Sequence, residues 1–273
     1  WGQVLGGGLL LFWDVMCFGR GEFDVSRVVL QPSIGYAWDR RTSVSLSLGV
    51  GSTKYEIERD AAIDGLSASG TIAVYRNSVT VRLSPTRRSD VIVIPSMRSY
   101  VESGTSLGDG RTEGVLVGAS WRFSENLSLG PGFGWFSELG GGSNAFPILV
   151  VDWSITDKLS LTTGRGLAAS QGPGLTLNYK LSDRWKLGLT GRYEKIRFAL
   201  NGEGASRGGY GEDRSLPLLL RATYSPWPMT SISAFVGAEL EGSLSLEDAG
   251  GRRIGNSDYG TAPLIGFSFS SRF

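Results

Sequence analysis

Two carboxylates separated by one residue, Glu239 and Glu241, are the closest this chain comes to a catalytic pair. On a strand both would sit on one face about 7 Å apart, the separation an inverting glycosidase leaves for its acid, its base and the water between them. Two solvated charges in a polar interior have the same spacing, and that plainer reading is the expected one. The chain contains no histidine. Without an imidazole to act as base near neutral pH, Ser-His and Asp-His chemistry is excluded. Cys17 is the single cysteine, so zinc and most transition metals lose their usual ligands, and neither a metal site nor a cofactor is expected. No phosphate-binding glycine loop, nucleophile elbow or CxxC pair occurs. The expectation is that the protein is not an enzyme.

The elements that must position these residues are strands. Of 273 residues, 27 are basic and 26 acidic, a balance that gives no footing for nucleic acid. Mean hydropathy is near zero, and no apolar run is long enough for a membrane helix. A two-residue period recurs throughout. Strands are expected at 5–17, 27–38, 42–56, 70–83, 89–102, 111–123, 126–137, 145–155, 158–168, 173–181, 184–200, 213–225, 229–246 and 259–273, fourteen in all. Several exceed the usual strand length of about 5–6 residues. Short polar turns, such as 39–41, 124–125, 156–157 and 182–183, alternate with longer glycine-rich links, such as 57–69, 201–212 and 247–258. The 1–17 segment has the weakest pattern, so twelve strands, with 1–17 as a plug or disordered, is the alternative.

The last strand carries a family likeness. Ile265, Phe267, Phe269 and Phe273 share one face, and the sequence given ends on the aromatic Phe273. This resembles the C-terminal recognition strand of bacterial (proteobacterial) outer-membrane β-barrel proteins, and over most of its length the chain looks like their large uncharacterised group. The resemblance implies an all-β fold, a transmembrane antiparallel up-and-down barrel occupying 1–273 as one domain, in the cell outer membrane of a Gram-negative bacterium. It also implies the partners of such barrels: outer-membrane lipid, lipopolysaccharide, and the barrel-assembly machinery acting through the C-terminal strand. Oligomeric state is left open.

A barrel gives each face a role. Inward alternation is expected to place Arg82, Arg98, Glu102, Arg122, Asp152, Lys180, Lys186, Arg192, Glu194, Arg221, Glu239, Glu241 and Arg272 along the lumen. A charge on the lipid face would cost about 2–4 kcal/mol at the midplane, which explains the segregation. Trp38, Trp121, Phe123, Trp153, Tyr179, Trp185, Tyr224, Trp227 and Phe273 fall near short turns or the C-terminus, as a membrane-interface girdle requires. Lys195 and Arg197 are expected at the outer-leaflet phosphates, about 25 Å above Trp185 on a tilted strand. Arg165 requires a bulge between Gly164 and Gly166 to avoid lipid. Leu240, Leu244 and Leu246 are assigned to the outward set, and inward glycines including Gly49, Gly51, Gly130, Gly132, Gly134 and Gly188 are expected to leave space. The loop carboxylates, among them Glu212, Asp213, Glu247 and Asp248, are read as solvated charge. The leading function is porin-like, passive passage of small polar solutes through a mixed-charge lumen. The alternative is a non-transporting structural or surface-interaction barrel with partner-binding loops.

Overall fold

The computed structural model describes residues 3–17, 23–57, 69–163, 174–201 and 207–272. Among them are fifteen strands and no helix. The first eight are β1 (Gln3–Cys17), β2 (Phe23–Ala37), β3 (Thr42–Ile57), β4 (Ser69–Leu83), β5 (Ser89–Glu102), β6 (Arg111–Arg122), β7 (Leu127–Ser137) and β8 (Ser143–Ser154). They are followed by β9 (Leu159–Thr163), β10 (Gly174–Lys180), β11 (Trp185–Arg192), β12 (Glu194–Ala199), β13 (Tyr210–Tyr224), β14 (Thr230–Glu247) and β15 (Arg253–Arg272).

The count exceeds the expected fourteen because the segment 184–200 divides at Tyr193 into β11 and β12. Both halves pair with β13, from Trp185 opposite Tyr224 to Ala199 opposite Tyr210. Consecutive strands form one antiparallel sheet, and β15 also pairs with β1, Leu11 opposite Phe269. A single parallel bridge joins Ala199 of β12 to Val101 of β5.

Turns at one end are short for a physical reason. Between β2 and β3 the Asp39 carboxylate accepts hydrogen bonds from the N–H groups of Arg41 at 2.6 Å and Thr42 at 2.7 Å, so a side chain supplies the acceptor that a longer loop would otherwise provide. Ser182 does the same between β10 and β11, taking the amides of Arg184 and Trp185.

Alternation then sorts the side chains. Outward on β2 lie the exposed Val28, Leu30 and Ile34, continued by Trp38 just past its end. Ten residues of tilted strand make this stripe about 25 Å tall. Comparable stripes run along β3 (Leu46, Leu48, Val50), β13 (Leu216, Leu218, Leu220) and β15 (Ile265, Phe267, Phe269). Charge bounds them at the loop end, where Lys54 pairs with Glu56 on β3 and Arg111 with Glu113 on β6. Trp38, Trp121, Phe123, Trp153, Tyr179, Trp185 and Trp227 are exposed at the turn end. Tyr224 is half-buried under Trp185, ring centroids 4.9 Å apart. Phe273 and Arg165 lie outside the described residues. An apolar surface of this extent marks a face that meets a membrane or another apolar surface.

The inner face carries a core that is densest toward the loop end and reaches down to Leu219 and Phe235. Val25, Tyr55, Ile72, Tyr100, Phe198, Leu219 and Leu264 belong to one buried cluster drawn from β2–β5 and from the segment after β11. Leu244 and Leu246 join it, which corrects their outward assignment. The β14–β15 register slips between Glu239 and Gly242, and Glu241 takes a positive φ of 51°. One extra residue exchanges the two faces beyond it.

Two measurements test this arrangement. An arginine at outward Leu218 should cost about 2–4 kcal/mol in unfolding of the lipid-reconstituted protein, and the same change at Ser45 on the opposite parity should cost far less. The two N–H donors at Asp39, from Arg41 first and Thr42 second, hold its carboxyl below the usual range. A depressed folded-state value contributes stability above the ordinary carboxylate pKa of about 4, lost as pH falls through the lower value. Exchange protection of the Arg41 and Thr42 amides should therefore disappear on acidification, and be absent at every pH in Asp39→Ala.

Candidate functional site: the inner face and its buried charge network

The charges expected on the inner face fall into two groups. Arg82, Arg122, Asp152, Lys180, Lys186 and Arg272 are exposed, each within three residues of a strand's turn end. Five have the parity of buried neighbours, as Arg82 has that of Ile72 and Val74 and Lys186 that of Thr190, while Asp152 shares that of the half-buried Ile148 and Val150. Five are cationic and one anionic, so this end is net positive rather than mixed. Lys180 also reaches Asp183 in its turn at 2.7 Å.

The second group is buried. Arg98, Glu102, Glu194 and Glu239 are almost wholly enclosed, and the Arg192 side chain is 8% exposed. Glu194 is the hub: one oxygen lies 3.8 Å from Arg27 Nη1 and the other 3.0 Å from Arg192 Nη2. An adjacent web is built around Asp213. Tyr55 Oη donates to Oδ2 at 3.1 Å, and Tyr259 Oη lies 2.8 Å from Oδ1 and 3.2 Å from Glu239 Oε2. A phenol has one proton to donate, so it cannot satisfy two ionised carboxylates at once. Above the web Phe198, with no exposed surface, stacks on Tyr55 at 5.7 Å. Arg98 lies over the Phe136 ring at 4.5 Å and Arg76 over Tyr100 at 5.5 Å. Glu102 accepts the Asn201 amide at 2.8 Å. Arg221 is half-buried beside Gly188.

Several expectations need correction. Glu239 is buried while Glu241, at the bulge, is exposed, so the register slip parts the carboxylate pair. Lys195 is bound to Glu138 at 2.6 Å and Glu212 at 3.3 Å, and Arg197 to Glu247 at 2.5 Å. Their charges are committed to carboxylates of the β7–β8 link and of β13–β14, not presented to an outer-leaflet phosphate. Glu212 and Asp213, read as solvated, lie within β13 and are both buried on its opposite faces, Asp213 against Tyr55 and Tyr259 and Glu212 against Lys195 and Arg197. The inner glycines do not all leave room. A Cβ on Gly51 would lie 2.2 Å from the Val28 carbonyl oxygen, one on Gly130 1.8 Å from that of Ala119, and one on Gly134 2.5 Å from the Phe146 ring. These positions permit close backbone or ring approach.

Residues missed by sequence reasoning are Arg27, Tyr55, Arg76 and Tyr259. Arg27 shares the parity of Val25 and Val29, and that phase was the available signal. Among the described residues no cluster of His, Cys, Asp or Glu is arranged to hold a metal ion.

No protein-family model matches the chain, and neither does any curated protein. Solved structures similar to it include the translocator domain of the autotransporter NalP from Neisseria meningitidis, 14% identical over 98% of this chain and 88% of that one, with a TM-score of 0.41. An outer-membrane channel from Pseudomonas putida F1 is 9% identical over 98% and 95%, TM-score 0.48. The Pseudomonas putida toluene transporter TodX is 11% identical over 98% and 90%, TM-score 0.42. These are likenesses of strand arrangement, and the chemistry is read from this chain's own residues.

Removing the hub should expose the cost of the network. Glu194→Ala leaves Arg27 and Arg192 without their shared carboxylate, and should destabilise the reconstituted protein by about 3–5 kcal/mol in equilibrium urea unfolding.

Proposed function

We propose that the chain is a transmembrane β-barrel of a Gram-negative outer membrane, and that it is a channel for small polar solutes with a preference for anions. The observation that carries the reading is the pairing of an apolar outer band about 25 Å tall with an inner face that bears the charges. Lipid outside and water inside would give each face its natural solvent. Among the described residues every strand has a hydrogen-bonded neighbour on both sides over at least part of its length, from β1 round to β15 and back to β1, which suits a hydrocarbon medium. In this reading the aromatic turn end lies at the periplasmic interface, and Arg82, Arg122, Lys180, Lys186 and Arg272 surround the mouth there. Rings of cationic side chains favour anions.

One observation favours a second reading, a non-transporting structural barrel. The core and charge network at the loop end occupy the inner face on eight strands (β2 to β5 and β12 to β15), so passage along the axis requires them to yield. A channel of this design opens intermittently.

Planar-bilayer recording separates the two. A channel gives discrete steps with an anion-selective reversal potential that moves toward cations in Arg82→Glu and Lys186→Glu. Phe198→Ala, which removes a fully buried ring at a cost of about 3–5 kcal/mol, should raise the open fraction. Silence in both the native protein and Phe198→Ala, with folding intact, leaves the structural reading.

A further inference from the structure

One patch of the inner face holds two cations that no carboxylate of the described residues binds. Arg76 on β4 and Arg98 on β5 stand directly opposite each other in their ladder, and Thr112 on β6 stands opposite Arg98. Side chains so placed begin about 5 Å apart, and like charges there repel. Burial adds to the cost, since Arg98 is 5% exposed and Arg76 is half-buried. Elsewhere in the interior the chain meets such a cost with carboxylates: Glu194 serves Arg27 and Arg192, and Glu138, Glu212 and Glu247 serve Lys195 and Arg197. Glu194 also interacts electrostatically with Arg76, but it sets its oxygens against Arg27 and Arg192.

What Arg76 and Arg98 do have is ring faces, Tyr100 at 5.5 Å and Phe136 at 4.5 Å. A ring face attracts a cation without accepting the N–H hydrogen bonds a guanidinium offers, so those donors are left over. Among the described residues, Nε and Nη1 of Arg76 and Nη1 of Arg98 are buried and donate to no protein atom, and the hydroxyls of Ser96 and Thr112 are likewise without a partner. Ser96 precedes Arg98 by two residues on the same face and stands opposite Gly114. A Cβ on Gly114 would lie 2.0 Å from Phe136 Cδ1, so the missing side chain is what admits the ring beside Arg98. Two guanidiniums and two hydroxyls on three adjacent strands thus share one requirement, an acceptor that carries negative charge.

We infer that this patch binds a small oxyanion, a carboxylate or phosphate group, between Arg76 and Arg98. The planar fork of a guanidinium matches two oxygens of such an anion, and the hydroxyls of Ser96 and Thr112 supply donors for the oxygens that remain. Bound there, the anion offsets both the repulsion across the β4–β5 ladder and the cost of burying Arg98. Arg76, the less enclosed of the two, is the contact an arriving anion meets first. The inference rests on the channel reading for the route by which the anion arrives, and its chemistry is tested apart from ion passage.

The test is equilibrium dialysis of radiolabelled phosphate, and separately of radiolabelled benzoate, against the full chain refolded in non-ionic detergent at fixed ionic strength. Saturation at one equivalent per chain is expected. Binding of phosphate alone marks a phosphate site, binding of benzoate alone a carboxylate site, and mutual displacement a general oxyanion site; each supports the inference. Arg98→Met, which replaces the buried charge with an apolar chain, should lower the affinity at least tenfold, equivalent to about 1.4 kcal/mol. Arg76→Lys keeps the charge but loses the fork; it should also weaken binding about tenfold, and it decides the matter where Arg98→Met does not fold.

No saturable binding of either anion by the native protein overturns the site, and an anion-selective conductance from the same preparation then leaves the channel reading standing. One equivalent bound by a protein that is silent in the bilayer keeps the site and removes the channel. Undiminished affinity in both variants, or loss of binding only in Arg82→Glu, places the anion elsewhere on the protein and overturns the site.

Discussion

Because successive side chains of a strand point to opposite faces, every strand of this sheet meets two environments at once, and a displacement of one residue exchanges them. That constraint governs where charge can sit. From β2 to β15 the outward positions of the central band are apolar with few exceptions, Asn77 among them, and the inward ones include arginine, lysine and carboxylates. Where the chain needs to change sides it inserts a residue. The bulge at Glu239–Gly242 is the clearest case: it sends Glu241 out and turns Leu244 and Leu246 in, completing the core beneath the loops.

Burying charge in that core demands partners. An isolated ionised group in a low-dielectric interior is costly, and the penalty is met only when geometry and additional hydrogen bonds are good. Glu194 between Arg27 and Arg192, and Asp213 between Tyr55 and Tyr259, satisfy this requirement across strands far apart in sequence. Aromatic faces serve as further partners for Arg98 and Arg76, in the manner of cation–π contacts. The network ties β2, β3, β12, β13 and β15 to one another independently of their backbone ladders.

The strand framework was legible in the sequence because length, alternation and turn chemistry agree. The turn at Asp39, for instance, is marked by a carboxylate ahead of two amides it can hold. Face assignments held wherever the period ran unbroken, as from Trp185 to Arg192 or Ile265 to Arg272. They failed past a bulge, since nothing in the run Glu239-Leu240-Glu241-Gly242 announces which residue will be left unpaired. The site was less legible still. Lys195 and Arg197 looked outward by parity, and their partners Glu138, Glu212 and Glu247 come from segments whose approach no local pattern encodes. The glycines misled for a similar reason, because Gly134 looks vacant until the Phe146 ring on the next strand is known to lie over it.

The parallel bridge between Ala199 and Val101 has a geometric consequence. A circuit of ladders taken near the turns passes through fourteen strands, β1 to β11 and β13 to β15, whereas one taken through the bridge passes through only nine, β12 to β15 and β1 to β5. The sheet thus offers two circuits of different length, and at the loop end β6 to β8 lie outside the shorter one. Only one ladder pair closes that shorter circuit, so its hold depends on side chains, the Asn201 amide on Glu102 and the ring of Phe198 on Tyr55, rather than on backbone pairing.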